Sequence, residues 1–311
     1  MATRSVSGCP VAPPPGDTRK TVEVSGRGGM VRNPLHVTDF IDARAVLRSA
    51  DAEQAGFLSD LARRYSRMKQ PILFLSGEDH RRQRKATARF FAPKVVAGRY
   101  RDLIRSETDR LISRLRGEGS ADLDTLSLDL AVTVAAEIVG LTNSDAVTMA
   151  HRLETITGGG AVPRWPLGKL AMMFRRQWQV RHFLRNDVRP AIAARKAEPR
   201  EDVISHLISE GYNEQEILVE CLTYGAAGMI TTREFITMAG WHMLQDPALQ
   251  ARFVEADDAG KIALLEEILR LEPVVGTIYR RVPGQSGVLG IDIRAANTDE
   301  SVVGACPFSV D

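Results

Sequence analysis

The chain has 311 residues, of which 44% are apolar and 26% charged, with a formal net charge of +2. A chain this long buries a core without needing disulfides or metal. Three widely spaced cysteines, Cys9, Cys221 and Cys306, exclude a disulfide framework and a zinc ribbon, and no apolar run reaches the roughly 18 residues of a membrane span.

Residues 1–34 carry Pro10, Pro13, Pro14 and Pro15, then Gly26, Gly28 and Gly29, and read as a flexible leader with no apolar signal-peptide core. Residues 35–311 read as a single domain. Thr38 is placed to cap a helix through Leu47, and a second helix is expected near Leu58 to Met68. Ser76-Gly77-Glu78-Asp79 opens a strongly basic helix that runs through Phe91 and stops at Pro93. Residues 94–116 repeat apolar side chains with a period near 3.6. Residues 123–141 are almost purely apolar after Asp129, the signature of a helix central in a bundle. Gly158-Gly159-Gly160, Pro163 and Pro166 mark a loop suited to a mobile lid. A helix follows from about Lys169 to Ala197, then a shorter one over Glu201 to Glu210. Asn213-x-x-Glu216 resembles a capping box and starts a long helix to Leu244. Asp246-Pro247 ends it and begins the next, and Gly260 to Leu271 is one more, closed by Pro273. β character appears only at Val274 to Val282 and Val288 to Ile293. The fold class is therefore mainly α with small β-sheets.

The long helix holds twelve residues without a charge, Cys221 to Thr232. Gly225 and Gly228 each cost about 1 kcal/mol in a helix interior, and four consecutive small residues remove volume where a core wants it filled. One explanation is a close helix crossing. The other is space left for a flat ligand, with the Thr231 hydroxyl beside it. The basic helix lies in a block, residues 61–116, with 16 Lys or Arg against 5 Asp or Glu. Such a block on a near-neutral chain points to one anionic partner or ligand. His80 and Arg84, at i and i+4, share a face. A solvated cationic face, a carboxylate or phosphate site and nucleic acid all remain open for it. Glu267 and Arg270 form an i, i+3 pair flanked by leucines. His36, His151, His182, His206 and His242 lack metal-ligand spacing, and no metal site is expected.

Order and spacing add what no motif carries alone. His80-x-x-x-Arg84, Ala227-Gly228-x-x-Thr231-Thr232, Glu267-x-x-Arg270 and Ala295-Ala296-Asn297-x-Asp299 follow one another in a pattern that resembles the cytochrome P-450 family, from about residue 35 onward. The resemblance implies a helical wedge around haem b, of the soluble, cytoplasmic bacterial type without a membrane anchor. It gives His80, Arg84 and Arg280 the haem propionates, with Arg281 one register away. It lays Ala227 and Gly228 over the haem face and gives Thr231 a part in proton delivery to dioxygen. It makes Glu267 and Arg270 a structural pair. Where the family usually has an acid before the threonine, this sequence has Ile230. The family's cysteine iron ligand follows the segment that Gly304 to Asp311 resembles, so the fold is expected to be incomplete at its C-terminus, and Cys306 does not stand in for the ligand.

The implied function is a monooxygenase acting on a small apolar substrate, with electrons from NAD(P)H through a reductase and a ferredoxin, and without nucleic acid or membrane partners. The rival functions are a protein of the same fold that binds haem or an apolar ligand without oxygenating it, and a helical nucleic-acid-binding protein using residues 61–116.

Overall fold

A computed structural model describes residues 35–55, 70–157 and 165–310. The expected leader, the helix near Leu58 to Met68 and the glycine-rich part of the expected lid lie outside the described residues. The described chain divides into two compact units, one formed by residues 35–55 with 234–310 and the other by residues 70–233.

The first unit opens with strand β1 (Leu35–Val37), helix α1 (Phe40–Arg48) and strand β2 (Glu53–Gln54). The cap of α1 is Asp39 rather than Thr38; its carboxylate accepts from the Asp42 amide at 3.0 Å. Both residue types suit the position, and the aspartate is the stronger cap of the two.

The second unit is all helical: α2 (Gly77–Ala88), α3 (Arg101–Glu118), α4 (Leu123–Val139), α5 (Ala146–Thr157), α6 (Pro166–Phe183), α7 (Arg189–Ala197), α8 (Val203–Ser209) and α9 (Glu214–Gly225). As the apolar run predicts, α4 is central. Its Val132, Ala135, Ala136 and Val139 are buried in one core with Met149 and Leu153 of α5, Ile204 and Leu207 of α8, and Ile217 and Cys221 of α9. The single helix expected from Lys169 to Ala197 is instead α6 and α7, joined by a π turn at Leu184–Val188. Pro190 lies in the first turn of α7 and has no amide to donate. The wider turn accommodates the change of ladder and buries Asp187, which accepts two bonds of 2.7 Å from Arg152. The capping box at α9 forms as expected: the Asn213 amide donates to Glu216 at 2.9 Å and the Glu216 amide to Asn213 Oδ1 at 3.0 Å.

One buried pair locks this unit. Arg195 near the end of α7 is 3% exposed and Asp202, the cap of α8, is 1% exposed; they are hydrogen-bonded ion partners. Arg195 also donates to Thr142 at 2.9 Å, and Asp202 accepts from the Ser205 amide at 2.8 Å. Gly140 ends α4 at φ +98°, where an added Cβ would lie 2.7 Å from the Asp202 carboxyl carbon. The end of α4, the end of α7 and the start of α8 thus meet at one carboxylate.

The long helix continues past α9 through a second π turn, Ala226–Ile230, into α10 (Thr231–Gln245). Beyond Glu234 the chain belongs to the first unit, with α11 (Pro247–Glu255), α12 (Asp258–Leu271), β3 (Thr277–Arg281), β4 (Leu289–Asp292), α13 (Ile293–Asn297) and α14 (Glu300–Val303). The sheet order is β1-β4-β3-β2. The β3–β4 and β2–β3 pairs are antiparallel, while β1 runs parallel to β4 with Leu35 opposite Leu289. The sequence gives no sign of β1 or β2, because strands of three and two residues are too short to show a period.

Arg270 fastens the chain's last described segment. It pairs with Glu267 at 2.9 Å and donates to the carbonyls of Asn297 (3.2 Å), Pro307 (2.7 Å) and Ser309 (2.9 Å). The Asn297 amide returns a bond to the Arg270 carbonyl at 3.1 Å.

Replacing Asp202 by Ala strands the buried Arg195 guanidinium and is expected to cost about 3–5 kcal/mol in denaturant unfolding. Gly140→Ala is expected to destabilise as well. Its cost should shrink in the Asp202→Ala background, because the 2.7 Å clash is then removed and only the backbone penalty remains.

Candidate functional site

Two faces in the second unit carry the residues that the sequence singles out. On α2, His80 is half-buried and Gln83 and Thr87 follow it on the inner side. Arg81, Arg82, Arg84 and Lys85 are exposed. Arg81 is bound to Glu78 at 2.7 Å and Arg82 to Asp79 at 2.8 Å, each one turn back on the same helix. Arg89 turns to His206 Nδ1 at 3.1 Å and stacks over Phe90. Burial, and then the Arg89 charge, push the His206 imidazole below its ordinary pKa. The side chains of His80, Arg84 and Lys85 differ from these neighbours: among the described residues none makes a hydrogen bond or an ion pair. Two N–H donors at i and i+4 without a protein anion suit an added carboxylate, and this donor set fits a haem propionate.

The second face is the break in the long helix. Gly225 is buried, and a Cβ there would lie 3.1 Å from Leu153 Cδ1; a Cβ on Gly228 would lie 3.4 Å from the Ala135 methyl. Gly225 therefore serves the close crossing with α5, while Gly228 faces α4 with room for a methyl group. Ala227 is exposed and Thr231 half-buried one turn later, so the open side belongs to them. Low helix propensity around the glycines makes a wide π turn cheap at this point. Thr231 Oγ1 donates to the Ala227 carbonyl, which satisfies an acceptor that the π turn would otherwise leave open. The close crossing lies on one side of the turn and the open, small-residue side on the other. Gly228 falls on the crossing side rather than beside Ala227.

Ile230, the residue where the resemblance expects an acid, is 7% exposed. A carboxylate at this position would have to be buried, so the expected route from residue 230 to Thr231 is not an open one here.

Arg280 lies on β3 in the first unit. It donates to the Gln54 side chain and to the Tyr279 carbonyl at 3.0 Å, neither of them an anion. Burial lowers its pKa with no carboxylate to offset the cost. Arg281, next along the strand, pairs through its backbone register with Glu53. Asp299 caps α14 and accepts from the Phe40 amide at 3.0 Å, so the Ala295-to-Asp299 motif, like Glu267 and Arg270, is structural. Neither cysteine of the described residues offers an iron thiolate. Cys221 is buried, which pushes its thiol pKa far up, and Cys306 is disulfide-bonded.

The sequence reading missed Glu220. It sits on α9, 1% exposed, and burial pushes its carboxyl pKa up to about 7. Its only sequence signal is an acid one residue before the uncharged stretch, at a spacing that places it on the inner face of the helix.

No family model matches the sequence. Two curated proteins are similar to it. Cytochrome P450 109 of Bacillus spizizenii is 23% identical over 235 residues, 74% of this chain. Erythromycin C-12 hydroxylase of Saccharopolyspora erythraea is 27% identical over 278 residues, 84% of this chain. The matched regions span 57% and 65% of those relatives' own lengths, less than two thirds in each case. Among solved structures, P450BioI in complex with an acyl carrier protein ligated to hexadec-9Z-enoic acid superposes with a TM-score of 0.72 at 23% identity. That match covers 95% of this chain and 79% of the solved one.

The two glycines are expected to respond oppositely to alanine. Gly228→Ala finds ordinary contact space and should stabilise the fold by up to about 1 kcal/mol through helix propensity. Gly225→Ala crowds Leu153 and should destabilise it by about 1–3 kcal/mol in denaturant unfolding. In a Leu153→Ala background, the Gly225→Ala effect should reverse sign.

Proposed function

We propose that this chain, which belongs to the cytochrome P-450 family, binds haem b and acts as a monooxygenase of the haem-thiolate type on a small apolar organic substrate, with a thiolate that neither Cys221 nor Cys306 supplies. The electrons would come from NAD(P)H through a reductase and a ferredoxin. The observation that carries the reading is the pairing state of α2. Its exposed Arg81 and Arg82 are matched by acids of their own helix, while His80 and Arg84 are left without an anion. The similarity to a C-12 hydroxylase supports an organic C–H bond as the target.

Oxygenation of this kind converts RH, O2, two electrons and two protons into ROH and water. Haem, when bound, supplies the redox-active iron that this needs. The residues of the chain supply the rest. His80 and Arg84 donate to propionate oxygens and hold the group by its charged edge. Ala227 keeps side-chain bulk off the open side of the long helix. Thr231 holds its proton on the Ala227 carbonyl, and its oxygen can accept from water. With Ile230 buried, protons reach Thr231 through water rather than from a carboxylate beside it. Lys85, exposed and without a partner on its helix, is suited to steer an acidic electron donor. Among the described residues no helix is long and apolar enough to cross a membrane.

A haemin titration followed by visible absorbance tests the reading. Arg84→Ala removes a charge-assisted bond worth about 1.5–3 kcal/mol, so haemin affinity should fall by roughly tenfold or more while far-ultraviolet circular dichroism is unchanged. Unchanged affinity in the folded variant would contradict the assignment. Lys85→Glu should slow ferredoxin-driven reduction at low ionic strength and matter little at high salt. Equal rates at low salt would remove Lys85 from the donor surface.

A further inference from the structure

Glu220 is a buried carboxylate for which the oxygenation chemistry has no use. It lies under the basic helix. Its Oε1 accepts from Gln83 Nε2 of α2 at 3.5 Å, and the carboxylate also accepts the backbone N–H of Ile72 in the turn just before α2. Oε2 has no hydrogen-bond partner among the described residues. Gln83 in turn bonds the Tyr212 hydroxyl, so one amide bridges the acid to the turn before α9. Gln83 is adjacent to Arg84 and one turn from His80, on the side of α2 that packs inward.

Among the described residues no cation acts on Glu220. The titratable groups facing Glu220 are Tyr212 from the turn before α9, and Cys221 and Tyr224 from α9 itself. Gln83 from α2 and the Ile72 backbone are uncharged. Arg81, Arg82, Arg84 and Lys85 are on the exposed side of α2. A neutral carboxylic acid satisfies this site: its O–H can donate to the Gln83 carbonyl oxygen, because an amide serves as donor or acceptor by turning over. The carboxylate does not, because it leaves one buried, charged oxygen without a donor.

We propose that Glu220 is a positioning residue for the helix that bears His80 and Arg84, acting through Gln83 and the Ile72 amide as a clasp that closes in its neutral form and opens when it ionises. The proposal rests on the reading of His80 and Arg84 as the anion-holding pair. Burial places the titration near pH 7, within the range a cell reaches. The sign follows from the raised pKa. In the closed form Glu220 binds a proton that the open form releases, so closure is favoured at low pH and lost as pH rises toward and through about 7.

Amide hydrogen exchange on the chain without haem tests the clasp. After correction for intrinsic exchange, protection of residues 78–88 should fall about tenfold between pH 6 and pH 8, with α3 and α4 as internal references. Glu220→Gln keeps the shape and removes the titration, so its protection should be the same at both pH values. A wild-type chain with equal protection at the two pH values, or a Gln variant that keeps the tenfold change, overturns the clasp. Haemin titration of the same two proteins tests the coupling. Wild-type affinity should be higher at pH 6 than at pH 8 by a larger factor than that of Glu220→Gln. If exchange responds to pH but haemin affinity changes equally in both proteins, the positioning role is overturned while the clasp stands. If exchange responds and neither protein binds haemin, it is the function proposed above that fails.

Discussion

The long helix can neither stay regular nor be filled, because Leu153 occupies the place of a side chain at Gly225. The core around α4 is built from buried Val132, Ala135, Ala136, Met149 and Leu153, and α9 must pass close over it to bury Ile217 and Cys221. That approach demands glycine at the crossing, glycine weakens the helix, and the ladder widens into a π turn. The same turn leaves Ala227 exposed and sends the Thr231 hydroxyl to the Ala227 carbonyl. A packing constraint on one face thus generates an open, small-residue surface on the other.

Charge follows a second logic. The deeply buried ions of this unit are matched: Arg195 with Asp202, and Asp187 with Arg152. On the basic helix the outermost arginines are matched as well, by their own first-turn acids. What stays unmatched on α2 is specific: His80, Arg84 and Lys85, with the Glu220 carboxyl buried beneath its inner side. Unpaired N–H donors on this helix are ready for an anion from outside. An unpaired carboxyl inside is tolerated by being neutral part of the time.

Much of this was legible in the sequence, and the failures have physical causes. The central α4, the Asn213–Glu216 box and the long helix were readable because each rests on local periodicity or local hydrogen bonding. The π turns at Leu184–Val188 and Ala226–Ile230 were not, since one extra residue in a turn leaves the apolar period almost unchanged over a short window. The glycines of the long helix gave two explanations that only coordinates could divide, because which side of a turn meets a neighbour depends on packing. Arg84 and Lys85 looked no different from Arg81 and Arg82; pairing with Glu78 and Asp79 one turn back separates them. Glu220 was hidden because burial of a single acid leaves no pattern along the chain.

The central claim is that the His80 and Arg84 face belongs to a haem site. The visible absorption spectrum of the purified chain, taken with its haem-to-protein ratio after haemin is added and excess removed, tests it most directly. The account predicts a Soret band at one haem per chain that weakens when His80 and Arg84 are both replaced by alanine. A folded wild-type chain that retains no haem, or a double variant that retains as much as wild type, would contradict it.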